Sequence, residues 1–489
     1  MLRHGLVNAT GNALRILLAL VSIPILVRNL GLHDYGLLSL LIAIVNIGAL
    51  SEIGFSTSTT IHVAASMRDQ SAPILKHTLG FTLFAALTSA TVAAAVLAGC
   101  SPFLAQWLFP LAQGTPSITA IHALCFAALT VIARTVFQVM IGLLHAAQRF
   151  PTASALQTAW FYTTQLSLLG ISYFTHNLAA LSAGITAASI LSLIVAWLSV
   201  RRHYTLPAPT WRIPSTIRNR ILKTTWHIGT TNIANTIFVQ GDKLVVGALL
   251  APSLLGIYST FTQVVAQINT LSAAACQPLL AHISRIDPRE QHSIQTAFMR
   301  ATLICTACVT LLASGLILMI DPIVAVLFPT ISHEYYFILV ILTLAYAFFS
   351  LNAPAYFTLQ ALLATSLVRN VTLAASGLSL VTIGFLSYFM GIKGAALGNF
   401  AFSGTLLLIP LAARRIKLSL PYMTMLIGSV PVLSIATLLW WLDFNLLVRL
   451  VAFIVFLGFI SLLVLILYRR RSSLAASRLS PHETSTNLL

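Results

Sequence analysis

The feature that most constrains this chain is a recurrence: runs of about twenty or more largely apolar residues follow one another along its whole length, separated by short connections. A helix needs about 20 apolar residues to cross a hydrocarbon core of roughly 30 Å, and in lipid its backbone must satisfy its own hydrogen bonds. Such runs fall at about 6–27, 36–61, 79–99, 118–144, 152–173, 178–200, 224–250, 254–280, 298–320, 336–363, 370–389, 392–413, 422–441 and 446–468. Only 8% of the 489 residues are charged and 58% are hydrophobic, against about 25% charged in water-soluble domains. The connections left over are too short for a separate catalytic domain. The first run reaches about Leu26 and others follow at once, so no cleavable signal is expected.

Charge tests this map independently. The chain carries 27 Lys+Arg against 10 Asp+Glu, a net +17. Basic residues recur between the runs instead of forming one patch, the pattern of loops on one membrane face and not of a nucleic-acid surface. With the N-terminus inside, 21 of them fall on the cytoplasmic face. Only Arg28, Lys393 and Arg449 fall on the other, and Arg15, Arg134 and Lys243 lie within spans. The asymmetry favours an even number of spans with both termini cytoplasmic.

The longest basic connection, 201–223, contains Pro207, Pro209 and Pro214 and reads as a cytoplasmic linker between an N-terminal six-helix lobe, 1–200, and a C-terminal one, 224–415. Two further spans occupy 416–470, and 471–489 is a polar cytoplasmic tail. A shift of 220 residues aligns Asn12 with Asn232, Leu30 with Leu250, Gly36 with Gly256 and Ser39 with Ser259. The expected fold is therefore an all-α polytopic membrane protein of about fourteen transmembrane helices. Two six-helix lobes form a parallel pseudo-repeat around a central cavity, with two C-terminal helices added, and a substrate site is expected between the lobes.

A charge near the middle of a spanning helix costs about 2.5–3.5 kcal/mol on insertion scales, so each should face a partner or a wet cavity. Arg15 sits midway along the first span with Asn8 and Asn12 at helical spacing, and Arg134 lies deep in the fourth with Gln138 one turn on. The seventh span gathers Thr231, Asn235 and Asp242 on one side, with Asn232, Thr236 and Lys243 beside them. The second adds Asn46 and Glu52, and the eighth Gln263, Gln267 and Asn269.

These side chains suit a water-filled vestibule, but each has a structural alternative. Glu52 pairs with Arg15 or Arg134 on one reading and couples an ion on the other. Asp242 and Lys243 form either a pair toward the helix end or a site contact, and His122 reads as a packing histidine before a proton relay. Pro24, Pro354 and Pro431 are candidate hinges. Cys100, Cys125, Cys276, Cys305 and Cys308 have no framework spacing and read as small apolar packing residues. Enzyme motifs are absent: no Walker loop, no dinucleotide glycine pattern, no His-Glu-x-x-His. No enzyme activity, cofactor or metal is expected, and any direction of transport must come from a gradient, the membrane potential or removal of product.

The stretch from Asn12 through Pro24 into Leu30-Gly31-Leu32-His33-Asp34-Tyr35-Gly36-Leu37 resembles the first helix pair of the polysaccharide transporter family, the O-antigen and lipid-linked oligosaccharide flippases. Asp242-Lys243 running into Leu255-Gly256-Ile257-Tyr258-Ser259, and Gly391-Ile392-Lys393-Gly394-Ala395-Ala396, resemble it too. That family belongs to the multidrug, oligosaccharidyl-lipid and polysaccharide exporter superfamily. The resemblance implies two lobes working by alternating access in the bacterial cytoplasmic (inner) membrane. It also implies translocation of an undecaprenyl-pyrophosphate-linked O-antigen, lipopolysaccharide, capsule or exopolysaccharide repeat unit.

On that reading Arg15, Arg134, Asn12, Asn232 and Asn235 bind the substrate, and Glu52, Asp242 and Lys243 are the candidates for ion coupling. The partners are the polyprenyl-pyrophosphate-linked glycan, membrane lipid, and a membrane glycan polymerase or ligase, with no nucleic acid. Two relatives stay open: lipid II flippases of cell-wall synthesis, and ion-coupled multidrug extruders, which need accessible carboxylates.

Overall fold

A computed structural model describes residues 2–48, 55, 58–60, 63, 72–108, 117–147, 149–202, 210, 211, 213–283, 286, 290–328, 331–362, 364–418 and 429–458; among them there are helices and turns and no strand. The helices are α1 (Leu2–Gly48), α2 (Ala72–Gly99), α3 (Ser101–Leu108), α4 (Ser117–Ala146), α5 (Phe150–Phe174), α6 (Leu178–Arg201), α7 (Ser215–Leu249) and α8 (Pro252–Ile283). They continue as α9 (Gln291–Leu318), α10 (Ile320–Leu327), α11 (Tyr336–Ser350), α12 (Ala353–Ala361), α13 (Thr365–Gly398), α14 (Leu408–Arg415), α15 (Ser429–Trp441) and α16 (Leu446–Gly458). Two 3₁₀ turns, His333–Tyr335 and Asn399–Leu407, lie between them.

Each of the fourteen expected spans coincides with a described helix or half-helix, so the all-α polytopic fold is borne out. Seven described helices are long and apolar enough to cross a membrane by themselves. Large side chains such as Val92, Phe174, Val381 and Phe385 remain exposed around them, a surface that suits lipid and not water. The chain is a multi-pass membrane protein.

Local chemistry explains the breaks. The connections expected at 28–35 and 390–391 shrink to single residues, Gly31 (φ 79°) and Gly391 (φ 58°), where a positive φ interrupts α1 and α13. The three-residue gap 175–177 is a tight turn, because Asn177 caps α6 by accepting from the Ala179 and Ala180 N–H groups. The tenth span divides at Leu351–Asn352, with Pro354 in the first turn of α12. Pro24 lies inside α1, whereas Pro431 sits in the first turn of α15 as described. Two short helices, α3 and α10, were not expected from the sequence; each is only 8 residues long.

Two compact units emerge. The first comprises residues 1–264, 326–329 and 369–402. In it α4 packs against α1, α2, α3, α5 and α6, around a core that includes Phe81, Phe137, Met140, Ile141, Leu144 and Val200. The second comprises 265–325, 330–368 and 403–489. Here α9 packs against α11, α12 and α15, and Cys276, Cys305, Val309, Ala313 and Leu433 share one apolar cluster. All five cysteines are free.

Within each unit, segments that the charge count assigns to one membrane face meet each other. On one face the Asp34 carboxylate takes His33 at 2.9 Å and His176 at 3.7 Å. On the opposite face the Thr210 N–H donates to Gly80, and Gln295 donates to the carbonyls of Ile416 and Lys417. An odd error in the number of intervening spans would have put these partners on opposite sides.

The two C-terminal helices are anchored to the second unit. Phe453 covers Gly315, and Trp440, Phe453 and Phe456 pack on Ile317, Leu318 and Ala436. Arg449 is only 2% exposed and is held by Asp321 and, at 2.9 Å, by Asp443. A buried guanidinium that loses a carboxylate is left partly uncompensated. Asp321→Asn is expected to destabilise the protein by about 1–2 kcal/mol, discounted because Asp321 is half-exposed; thermal unfolding in detergent measures it.

Candidate substrate and coupling site

The predicted site residues that the structure describes fall in the first unit, with Arg134 at one centre and Asp242 and Lys243 at another. The side chains of Asn12, Asn232 and Asn235, and Glu52 entirely, lie outside the described residues. Arg15 is partly buried on α1.

At the first centre Arg134, near the middle of α4, extends to the second half of α1, where its Nη1 donates to Asn46 Oδ1 at 2.6 Å. Its guanidinium carbon stands 5.4 Å from the ring centroid of Trp160 on α5. These two neutral partners orient the plane of the fork, and a planar fork with oriented donors matches a phosphate. Trp160 also donates to Ser189 Oγ at 3.3 Å, which ties the ring to α6.

The second centre surrounds Asp242, which is 1% exposed although it sits in a membrane helix. One carboxylate oxygen accepts the backbone N–H of Lys243 at 2.7 Å, and the other accepts the Tyr258 hydroxyl at 3.0 Å. Asn399 donates its amide to Tyr258 Oη at 2.8 Å and to the Ala395 carbonyl at 2.9 Å. The Asn399 Oδ1 is buried and has no hydrogen-bond partner among the described residues. Lys243 is buried as well, and among the described residues its ammonium makes no ion pair within 4 Å. The hydrogen bond from Lys243 to Asp242 thus comes from its backbone N–H and not from its ammonium.

Sequence reasoning missed Trp160, Tyr258 as a ligand of Asp242, and Asn399. Tyr258 stood in one of the quoted motifs, so its place was visible but its role was not. Asn399 is more than 150 residues away from Asp242 in sequence, and no spacing rule reaches it. Among the described residues no group of three or more His, Cys, Asp or Glu gathers as a metal site. No hydrogen bond or ion pair among them joins Arg134 to Asp242 or Lys243.

Between α1 and α8 the backbones meet without side chains. A Cβ on Gly36 would stand 1.8 Å from the Pro252 carbonyl oxygen and 3.1 Å from the Gly256 nitrogen, and one on Gly256 would stand 2.5 Å from the Leu32 carbonyl oxygen. The contact is reciprocal under the 220-residue shift, which maps Leu32 onto Pro252 and Gly36 onto Gly256.

Fold and site together define a polytopic membrane protein of the kind that encloses polar and charged groups within a helical bundle. Solved structures share this fold. The lipid II flippase MurJ in an inward closed conformation superposes with a TM-score of 0.73 at 15% identity, over 95% of this chain and 99% of that one. An inward-facing multidrug resistance MATE family transporter of the MOP superfamily gives 0.64 at 13% identity, over 88% and 98%. A MOP superfamily transporter from Pyrococcus furiosus gives 0.51 at 13% identity, over 82% and 95%. No curated protein matches the sequence. The chain belongs to the family described as polysaccharide biosynthesis protein, which matches residues 1–284, in agreement with the motifs around Gly36 and Gly256.

Proposed function

We propose that this protein is a flippase that carries a polyprenyl-pyrophosphate-linked oligosaccharide from the cytoplasmic to the outer leaflet of the bacterial inner membrane by alternating access. The observation that carries this reading is the guanidinium of Arg134, oriented deep in a membrane helix by the Asn46 amide oxygen and the Trp160 ring. Membership of a polysaccharide biosynthesis family supports a glycan carrier's diphosphate as the anion. A multiply ionised diphosphate and a hydrated sugar cannot enter hydrocarbon unaided, whereas the prenyl tail can remain there. Arg134 and Arg15 bind the phosphates, and Asn12, Asn232 and Asn235 exchange hydrogen bonds with sugar hydroxyls.

On this reading residues 1–200 and 224–415 are the related halves, joined by 201–223. The reciprocal Gly36–Gly256 contact supports it, because matched residues that touch each other's counterparts are the mark of a two-fold axis. Both termini are cytoplasmic, and a membrane polymerase or ligase consumes the product on the outer face.

Deleting the chain is expected to leave a lipid-linked sugar repeat unit on the cytoplasmic leaflet. A peptidoglycan precursor accumulating there instead would replace this reading with that of a lipid II flippase, the activity named for the fold relative MurJ.

Coupling is assigned to Asp242, with Glu52 and Lys243 as the other candidates. A buried carboxylate tied to a hydroxyl, beside an amide oxygen that no described residue donates to, offers oxygens to a proton or a small monovalent cation. Asp242→Asn keeps the shape and removes the charge. In vesicles it is expected to lose the acceleration of transport given by a proton or sodium gradient, while basal exchange remains. Gradient-independent transport by the unmodified protein would remove the coupling role.

A further inference from the structure

The second unit holds a cavity, partly basic and partly apolar, that the transport reading does not use. It has a volume of about 530 Å³ and lies between the C-terminal end of α8 and the first half of α9. His282, His292 and Arg300 contribute basic groups to its wall, and Ser293 and Thr296 contribute hydroxyls. Among the described residues no carboxylate lines it. Among the described residues these three basic side chains make no ion pair, so their donors are available to a ligand.

The cavity is graded along α9. Ser293, Thr296, Arg300 and Ile304 follow one another at intervals of three or four residues, which places them on one helix face over roughly 17 Å. The hydroxyl end lies beside the start of α9, where the helix dipole favours an anion. Beyond Arg300 the α9 side of the wall becomes apolar, and Ile304 is 53% exposed. A soluble anion would need only the polar end. A wall that passes from basic to apolar within three helical turns matches a molecule that is itself graded from phosphate to hydrocarbon.

We infer that this cavity binds a lipid phosphate headgroup of the leaflet from which α9 enters the membrane. Arg300 takes the phosphate through its fork, His282 and His292 add donors, Ser293 and Thr296 bind its remaining oxygens, and the chain lies along Ile304. The orientation proposed above makes this the cytoplasmic leaflet, but binding itself requires neither transport nor the Arg134 centre. Two sources supply this chemistry: bulk anionic phospholipid and a polyprenyl phosphate.

Native mass spectrometry of the purified full-length chain in neutral detergent tests the inference. The probes are phosphatidylglycerol, undecaprenyl phosphate, phosphatidylcholine and inorganic pyrophosphate. The unmodified protein is expected to bind at least one of the two anionic lipids at least tenfold more tightly than phosphatidylcholine, and the preferred lipid identifies the source. In H282N/H292N/R300Q that preference is expected to fall about tenfold, with R300K recovering part of it in the otherwise unmodified chain. An unchanged melting temperature in the triple variant excludes misfolding, and if it melts early R300Q alone is compared. Equal binding of anionic and neutral lipid, unchanged binding in the variants, or pyrophosphate bound as tightly as the lipids would overturn the assignment. Loss of glycan export with lipid binding intact would instead bear on the transport reading alone.

Discussion

Arg134→Ala is expected to reduce glycan export by roughly 10²-fold while the protein still inserts and accumulates in the membrane. A charge-assisted hydrogen bond contributes about 1.5–3 kcal/mol, and a phosphate met by two donors of one fork loses the upper end of that range when the fork is removed. Arg134→Lys separates charge from geometry. The ammonium keeps the attraction but loses the planar donors that Asn46 and Trp160 orient, so export should fall by about tenfold. Combining Arg134→Ala with Arg15→Ala should abolish export. The measurement is the fraction of lipid-linked repeat units reaching the outer leaflet, normalised to protein in the membrane. Full activity in the double variant would end the proposal that these arginines hold the diphosphate.

Gly36→Ala is expected to have the largest structural effect of any single methyl addition near the site. The added carbon would stand 1.8 Å from the Pro252 carbonyl oxygen, inside any attainable contact distance, and the obstacle is backbone. A flexible side chain can turn away, but here α1 and α8 must move apart, which costs about 1–3 kcal/mol by the usual scale of overpacking. Gly36→Val should cost more. Gly256→Ala meets the Leu32 carbonyl at 2.5 Å and should behave in the same way, because it is the same contact seen from the other helix. Gly170→Ala is the internal control: nothing lies within 4 Å of its added carbon, and helix propensity makes it neutral or slightly stabilising. Thermal unfolding in detergent, with export measured in parallel, distinguishes the four variants. Equal melting temperatures for Gly36→Ala and Gly170→Ala would show that the close approach of α1 and α8 is not a structural requirement.

The span map was readable because a bilayer imposes one dominant rule on every segment. Length and polarity decide each crossing separately, so errors stay local. Charge then fixes sides by counting, and contacts such as Asp34 with His176 and Gln295 with Ile416 agree with that count. Single-residue breaks were harder to see. Gly31 and Gly391 stand in glycine-centred motifs, yet composition does not say that one positive φ replaces a whole connection.

The site was legible in part. Arg15, Arg134, Asp242 and Lys243 stood out because a charge in hydrocarbon demands an explanation. What each charge touches was not legible. Asn46 appeared in the sequence only as a polar residue of the second span, and nothing joined it to Arg134, 88 residues on. Tyr258 and Asn399 reach Asp242 from 16 residues away and, by way of the tyrosine hydroxyl, a further 141. Arg449 read as an ordinary outer-face cation, whereas packing buries it against Asp321 and makes it the anchor of the last two helices.

By itself, then, the sequence determined that this chain lives in a membrane as a bundle of about fourteen helices and which groups are out of place there, because each of these is a property of one segment against one solvent. Only the tertiary structure decided which groups meet. Hydrogen bonds between distant helices depend on how those helices are rotated and how closely they approach, and that is settled where Gly36 and Gly256 let two backbones touch.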